Sequence, residues 1–161
     1  MTNPTASLWR FDSALALRAI AAGLIHAVVY WPSAAFDLIL PLQSGLELQL
    51  RPSLVVPVFV GLTQGPWAGA LTGVVGHLLG ELLGGRLSGA GPLAIGMLQN
   101  ALLGFIAGLG SRTVRRERSL AALGMAALWT VIAAVGANLL PFAGLLAVAA
   151  LRPGLALDGT L

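Results

Sequence analysis

The chain has 161 residues, 57% of them hydrophobic and 9% charged, with a mean hydropathy of +0.89, 21 glycines and no cysteine. Soluble globular domains carry about 25% charged residues, so this composition excludes that class and marks an integral membrane protein. The net charge of +3 rests on arginine alone. The arginines sit mostly at the ends of apolar runs, where cations orient spans and meet anionic headgroups, so nucleic acid is not an expected partner. Without cysteine there are no disulfides, iron–sulfur ligands or thiol nucleophiles, and the redox compartment is unreadable.

The length holds one membrane-embedded domain, 1–161, because each crossing needs roughly 20 apolar residues and short loops must fit between. The expected fold is an all-α polytopic membrane protein, a bundle of about six transmembrane helices. Span 1 is expected over about 13–31, ended by Trp31-Pro32. It exceeds a signal-peptide core, carries Arg18 within it and lacks a clear cleavage site, so it reads as a retained span. The following stretch, "SAAFDLILPLQSGLELQLRP", mixes Asp37, Glu47 and Arg51 with apolar residues and fits a partly ordered surface loop long enough to act as a lid.

Residues 52–80 contain no Asp, Glu, Lys or Arg. A helix of that length would run about 43 Å against a core of about 30 Å, so a turn is expected at Gly65-Pro66. This gives a short span 2 over about 52–64 and span 3 over about 66–84. "GGRLSGAGP" reads as a loop, and "LAIGMLQNALLGFIAGLGS", 93–111, as span 4. The basic stretch "RTVRRERS" follows. The uncharged run from Ser119 to Leu151 again exceeds one crossing, which places a turn at Asn138-Leu-Leu-Pro141, with span 5 over about 119–138 and a short or re-entrant span 6 over about 139–157. A cytoplasmic N-terminus puts Arg10, Arg112, Arg115, Arg116, Arg118 and Arg152 inside, against Arg51 and Arg86 outside, and is the orientation the positive-inside rule favours.

Small residues recur every four positions: Ala19, Gly23 and Ala27 in span 1; Gly61, Gly65, Gly69 and Gly73; Gly76, Gly80 and Gly84; Gly104 and Gly108. Such rows let helix backbones approach closely within lipid. Most are expected to pack the chain's own bundle. The row on span 1, a terminal helix, is the better candidate for an external partner.

An ionisable group at membrane depth costs about 2.5–3.5 kcal/mol on insertion scales, so each should face protein, water or a ligand. His77 and Glu81 stand four residues apart on one helical face. At 1.5 Å per residue they lie about 10 and 5 Å from the Gly84 end, and Gln99 and Asn100 reach about 10 Å on the descending fourth span. Asn138 falls at the same end of span 5. Apolar walls with a few placed polar groups are how a small-molecule pocket is built. The plainer readings are that Glu81 caps the loop or pairs with Arg86, and that His77, Asn100 and Asn138 tie helices together. His26 and Arg18 read as structural. One histidine and one glutamate are too few ligands for a metal. There is no Ser/His/Asp constellation, phosphate loop or metalloprotease motif, so no catalytic residue and no cofactor is expected.

The runs "RPSLVVPVFVGLTQGPWAGALTGVVGHLLGELLGG" and "GPLAIGMLQNALLGFIAGLGSR" resemble the substrate-binding S component of energy-coupling factor (ECF) vitamin transporters: Arg-Pro opening a short second helix, a Gly-Pro-x-x-G turn, a Gly-rich third helix ending in a carboxylate and glycines, and a fourth helix with a G-x-x-x-G row before a basic loop. The likeness covers 50–112 well and 13–31 loosely. It implies a six-helix, N-in, multi-pass subunit of a prokaryotic plasma membrane, without enzymatic activity. Such a subunit captures a vitamin-like ligand from outside and works with a membrane scaffold (T) subunit and two cytoplasmic ATPases. It also implies a pocket at Arg51, His77, Glu81, Gln99, Asn100 and Asn138, and a scaffold contact at Ala19, Gly23 and Ala27. Helix 1 departs from the family's Ala-x-x-x-Ala, and the sixth helix is short. From the residues alone two other classes stay open: a polytopic membrane enzyme or proton-coupled carrier using His77 and Glu81, and a structural subunit without a ligand.

Overall fold

Asp12 opens the first helix, its Oδ1 accepting the Leu15 backbone N–H at 2.8 Å as an N-cap. The helix, α1, runs Ser13–Ser33 and leads to an antiparallel pair of strands, β1 (Leu38–Pro41) and β2 (Glu47–Leu50), registered from Leu38 opposite Leu50 to Pro41 opposite Glu47. A 3-10 turn at Pro52–Leu54 feeds α2 (Val55–Gln64), and α3 (Pro66–Gly84), α4 (Ala90–Leu109), α5 (Ser111–Arg116) and α6 (Leu120–Leu151) follow. The computed structural model describes residues 12–33, 38–41, 47–50, 52–85, 89–116 and 119–151.

The ends of α3 are set by backbone chemistry. Gly65 has φ 110°, a conformation that L side chains rarely adopt, and Pro66 then occupies the first helical position, where its missing N–H costs nothing. At the other end Gly85 takes the left-handed conformation, φ 63°, and its N–H returns to the Glu81 and Leu82 carbonyls.

Glycine also decides how the helices cross. A Cβ on Gly69 would enter the backbone at Gly104, one on Gly104 would enter Gly69, and those on Gly61 and Gly108 would strike α4 and the Gly65-Pro66 turn. Thus α2, α3 and α4 meet backbone to backbone, with α4 antiparallel to α3. On a neighbouring face of α3, Ala19 pairs with Thr72, Gly23 with Val75, His26 with Gly76 and Tyr30 with Gly80, so α1 runs parallel to α3. The Thr72 hydroxyl donates to the Ala19 carbonyl at 3.1 Å inside this contact. Helix α6 packs on α4 through a stripe of Ala126, Trp129, Ala133 and Ala137 against Leu102, Leu103, Ile106 and Ala107. Its other side exposes Leu123, Leu128, Val131, Val135 and Leu139.

Among the described residues three stretches are long and apolar enough to cross a membrane: Ser13–Tyr30, Ala90–Thr113 and Leu120–Pro141. Helix α3, 19 residues long, lies between α1 and α4 and carries the ionisable pair.

The bundle is helical as expected, with one addition and one correction. The addition is the short β1–β2 pair within the 32–52 segment. The alternation Glu47-Leu48-Gln49-Leu50 after Ser44-Gly45 is a hairpin signal. The correction concerns the turn expected at Asn138–Pro141, which does not form. Helix α6 is continuous over 32 residues with Pro141 inside it. Proline removes one intrahelical donor at a cost of about 3 kcal/mol in a soluble helix, but membrane helices tolerate it where neighbouring groups compensate. At about 48 Å the helix exceeds the hydrocarbon thickness, which tilt or protrusion accommodates. Residues 152–157 of the expected sixth span lie outside the described residues.

Candidate functional site

The parallel run of α1 along α3, with α4 antiparallel beside it, brings the C-terminal ends of α1 and α3 and the first half of α4 to one end of the bundle. The polar side chains of the three helices meet there. His77 is 6% exposed and Asn100 7%. The Asn100 Nδ2 lies 3.4 Å from His77 Nδ1 and donates to the Gly96 carbonyl at 2.9 Å. Four residues beyond His77, the half-buried Glu81 accepts a hydrogen bond from the Tyr30 hydroxyl at 2.6 Å. A length below 2.7 Å is typical of a hydroxyl bonded to a carboxylate.

Glycines make room for each ring. A Cβ at Gly76 would overlap His26, one at Gly80 would overlap Tyr30, and one at Gly96 would overlap His77. Tyr30 stands edge-on to His77 with centroids 5.4 Å apart, and His26 lies 6.1 Å from Tyr30. The result is a contiguous file of His26, Tyr30, His77, Glu81 and Asn100 within apolar walls. His26 is fully buried, and neither of its ring nitrogens has a hydrogen-bond partner among the described residues; the same holds for Asn100 Oδ1. Among the described residues no three of His, Cys, Asp and Glu converge as metal ligands.

Of the residues singled out from the sequence, the structure brings together His77, Glu81 and Asn100. Gln99 neighbours Asn100 and is partly exposed. Asn138 is not in this cluster: it is exposed on α6, and its Nδ2 turns back to the Ala134 carbonyl at 2.7 Å. Arg51 lies outside the described residues. The small-residue row of α1 also turns inward. Ala19 and Ala27 are 0% and 1% exposed, Ala19 packing on Val60 and Ala68, and Gly23 abuts Val75, so the row is buried within this bundle. Sequence reasoning missed Tyr30 as a member of the site. Its position supplied the signal, since Tyr30 follows His26 by four residues and continues the stripe Ala19, Gly23, His26 that packs on α3.

The remaining aromatic groups are elsewhere. Trp67 packs edge-on to Phe105 with centroids 5.2 Å apart, at the opposite end of α3, and Trp129 covers Gly110. Tyr30 thus brings an aromatic side chain to this site besides its histidines.

The family model described as "ECF-type riboflavin transporter, S component" matches residues 15–153. The match spans the helices that build the polar file, and the chain belongs to this family of transporter substrate-binding components. No curated protein and no solved structure matches it.

Proposed function

We propose that this S component is the high-affinity substrate-binding subunit of an ATP-driven importer for a vitamin or related micronutrient, with riboflavin the first candidate because the family description names it. The polar file itself is the main support for the reading. Five hydrogen-bonding side chains from α1, α3 and α4 gather at one end of an otherwise apolar bundle, and two of them keep buried polar atoms without a protein partner among the described residues. An orphaned buried polar atom costs about 1–3 kcal/mol, which a ligand's hydrogen bonds offset.

In this reading the N-terminus is cytoplasmic, as the arginine distribution favours, and the Tyr30–Glu81 end opens outward. The β1–β2 segment joins α1 to α2 at that same end and covers the ligand. Energy comes from other chains, a membrane scaffold and two cytoplasmic ATPases, because no phosphate-binding loop is present in this sequence. The subunit resides as a multi-pass protein in a prokaryotic plasma membrane.

Two measurements test this. Protein purified in mild detergent and titrated with riboflavin without ATP binds one equivalent, and mass spectrometry of protein purified from cells recovers the co-purified ligand. Gradient-driven transport or turnover by the isolated chain in liposomes, abolished by substitution of His77, supports the carrier or enzyme reading instead.

A further inference from the structure

Around His77 the hydrogen-bonding inventory is lopsided. The Asn100 amide nitrogen is committed to the Gly96 carbonyl, which can only accept, so the amide orientation follows from the bond itself. Its second contact is His77 Nδ1. The other end of the amide, Oδ1, is left buried without a partner among the described residues. One turn along α3, the Glu81 carboxylate has about four lone-pair sites and receives the Tyr30 hydroxyl at Oε1. The Asn100 amide and Tyr30 hydroxyl donors are spent on the protein, while Asn100 Oδ1 and the Glu81 carboxylate, on either side of His77, keep acceptor capacity among the described residues; His26 adds one donor and one acceptor.

Resting on the ligand-binding reading above, we propose that Glu81 and Asn100 form a pair of acceptors that selects ligands by their N–H or O–H donors, and that Tyr30 is the positioning residue that fixes the Glu81 carboxylate. Tyr30 is suited to that task because its own freedom is gone. The side chain is 7% exposed, the ring fills the notch above Gly80, and its edge-on contact with His77 holds it from another direction. A carboxylate on a free helix surface samples several rotamers, whereas one tied to an immobile hydroxyl presents its remaining lone pairs in one direction. A site that demands donors also rejects an isostere lacking them, because the ligand would leave the acceptors desolvated and unpaired.

The experiment is a fluorescence-quenching titration of riboflavin, and of its imide-N-methylated and hydroxyl-acetylated derivatives, into the wild type, Tyr30→Phe, Glu81→Ala, Asn100→Leu and the Tyr30→Phe/Glu81→Ala double variant. Tyr30→Phe is expected to weaken riboflavin binding on the order of tenfold, the scale of one charge-assisted hydrogen bond. In the Glu81→Ala background it is expected to cause no further loss, which a residue that merely supports the fold would not do. At least one derivative with masked donors is expected to bind the wild type on the order of tenfold more weakly, with the discrimination collapsing in Glu81→Ala or Asn100→Leu. Should Tyr30→Phe fail to fold, the masked derivatives decide alone. Riboflavin binding by the wild type together with undiminished binding of both derivatives overturns the inference and leaves the function standing. Additive losses in the double variant overturn the role of Tyr30. A wild type that binds no riboflavin removes the substrate reading and this inference with it.

Discussion

Tyr30 and Glu81, 51 positions apart in the chain, are joined by a 2.6 Å hydrogen bond that ties the end of α1 to the end of α3. The bond exists because glycine at position 80 leaves the space that the tyrosine ring fills. A missing side chain on α3 thus determines the geometry of a side-chain pair at the proposed ligand site.

This makes the cost of filling a glycine strongly position-dependent. Gly80→Ala drives a methyl group into the Tyr30 ring and is expected to destabilise the protein by about 1–3 kcal/mol, as overpacking does. Gly124 in α6 has open space where a Cβ would stand. There Gly124→Ala is expected to stabilise by roughly 0.5–1 kcal/mol through helix propensity. Thermal unfolding in detergent compares the two; a Gly80→Ala variant as stable as Gly124→Ala would show that the Tyr30 notch is not tightly filled.

Asn100 and Asn138 provide a matched pair of substitutions for function. Asn100→Leu removes a buried acceptor and the contact to His77, and is expected to weaken ligand binding on the order of tenfold or more. Asn138→Leu removes an exposed group bonded to its own helix and is expected to leave binding unchanged within roughly twofold. Riboflavin titration of the two variants side by side checks this, and a loss confined to Asn138→Leu would put the pocket on the α6 side.

Thr72 separates stability from recognition. Its hydroxyl bonds the Ala19 carbonyl in the interior, about a turn and a half of helix from His77 toward the opposite end. Thr72→Val keeps the shape and loses the bond, with an expected cost of about 0.5–1.5 kcal/mol. The dissociation constant for riboflavin should stay the same, so a melt and a titration on one variant suffice.

The residues that sequence reasoning placed well were those whose location depends on distance along the chain. The bounds of α3 follow from Gly65-Pro66 and Gly84-Gly85, and counting rise per residue put His77 and Asn100 at one level, where the structure finds them in contact. Distance does not give direction. Asn138 satisfies the depth criterion but sits on the wrong side of α6, whose inward stripe is Trp129, Ala133 and Ala137. Tyr30 stands at the end of span 1 beside Trp31, and only its rotational phase, shared with Gly23 and His26, turns it toward α3. The break expected at Pro141 failed because a single proline weighs less than a long, uniformly apolar helix. The row Ala19, Gly23, Ala27 shows that four-residue spacing of small side chains identifies a helix contact without identifying the partner, which for Ala19 and Gly23 includes α3 of the same chain.

Whether the polar file is a ligand site is decided by equilibrium titration of the purified wild type and the Glu81→Ala and Asn100→Leu variants with riboflavin, without ATP or any other subunit. Saturable binding of one ligand per chain is expected for the wild type and markedly weaker binding for both variants, each retaining its helical circular dichroism and monodisperse elution. Wild-type affinity in both folded variants, or a wild type to which neither riboflavin nor any co-purified small molecule binds, would contradict it.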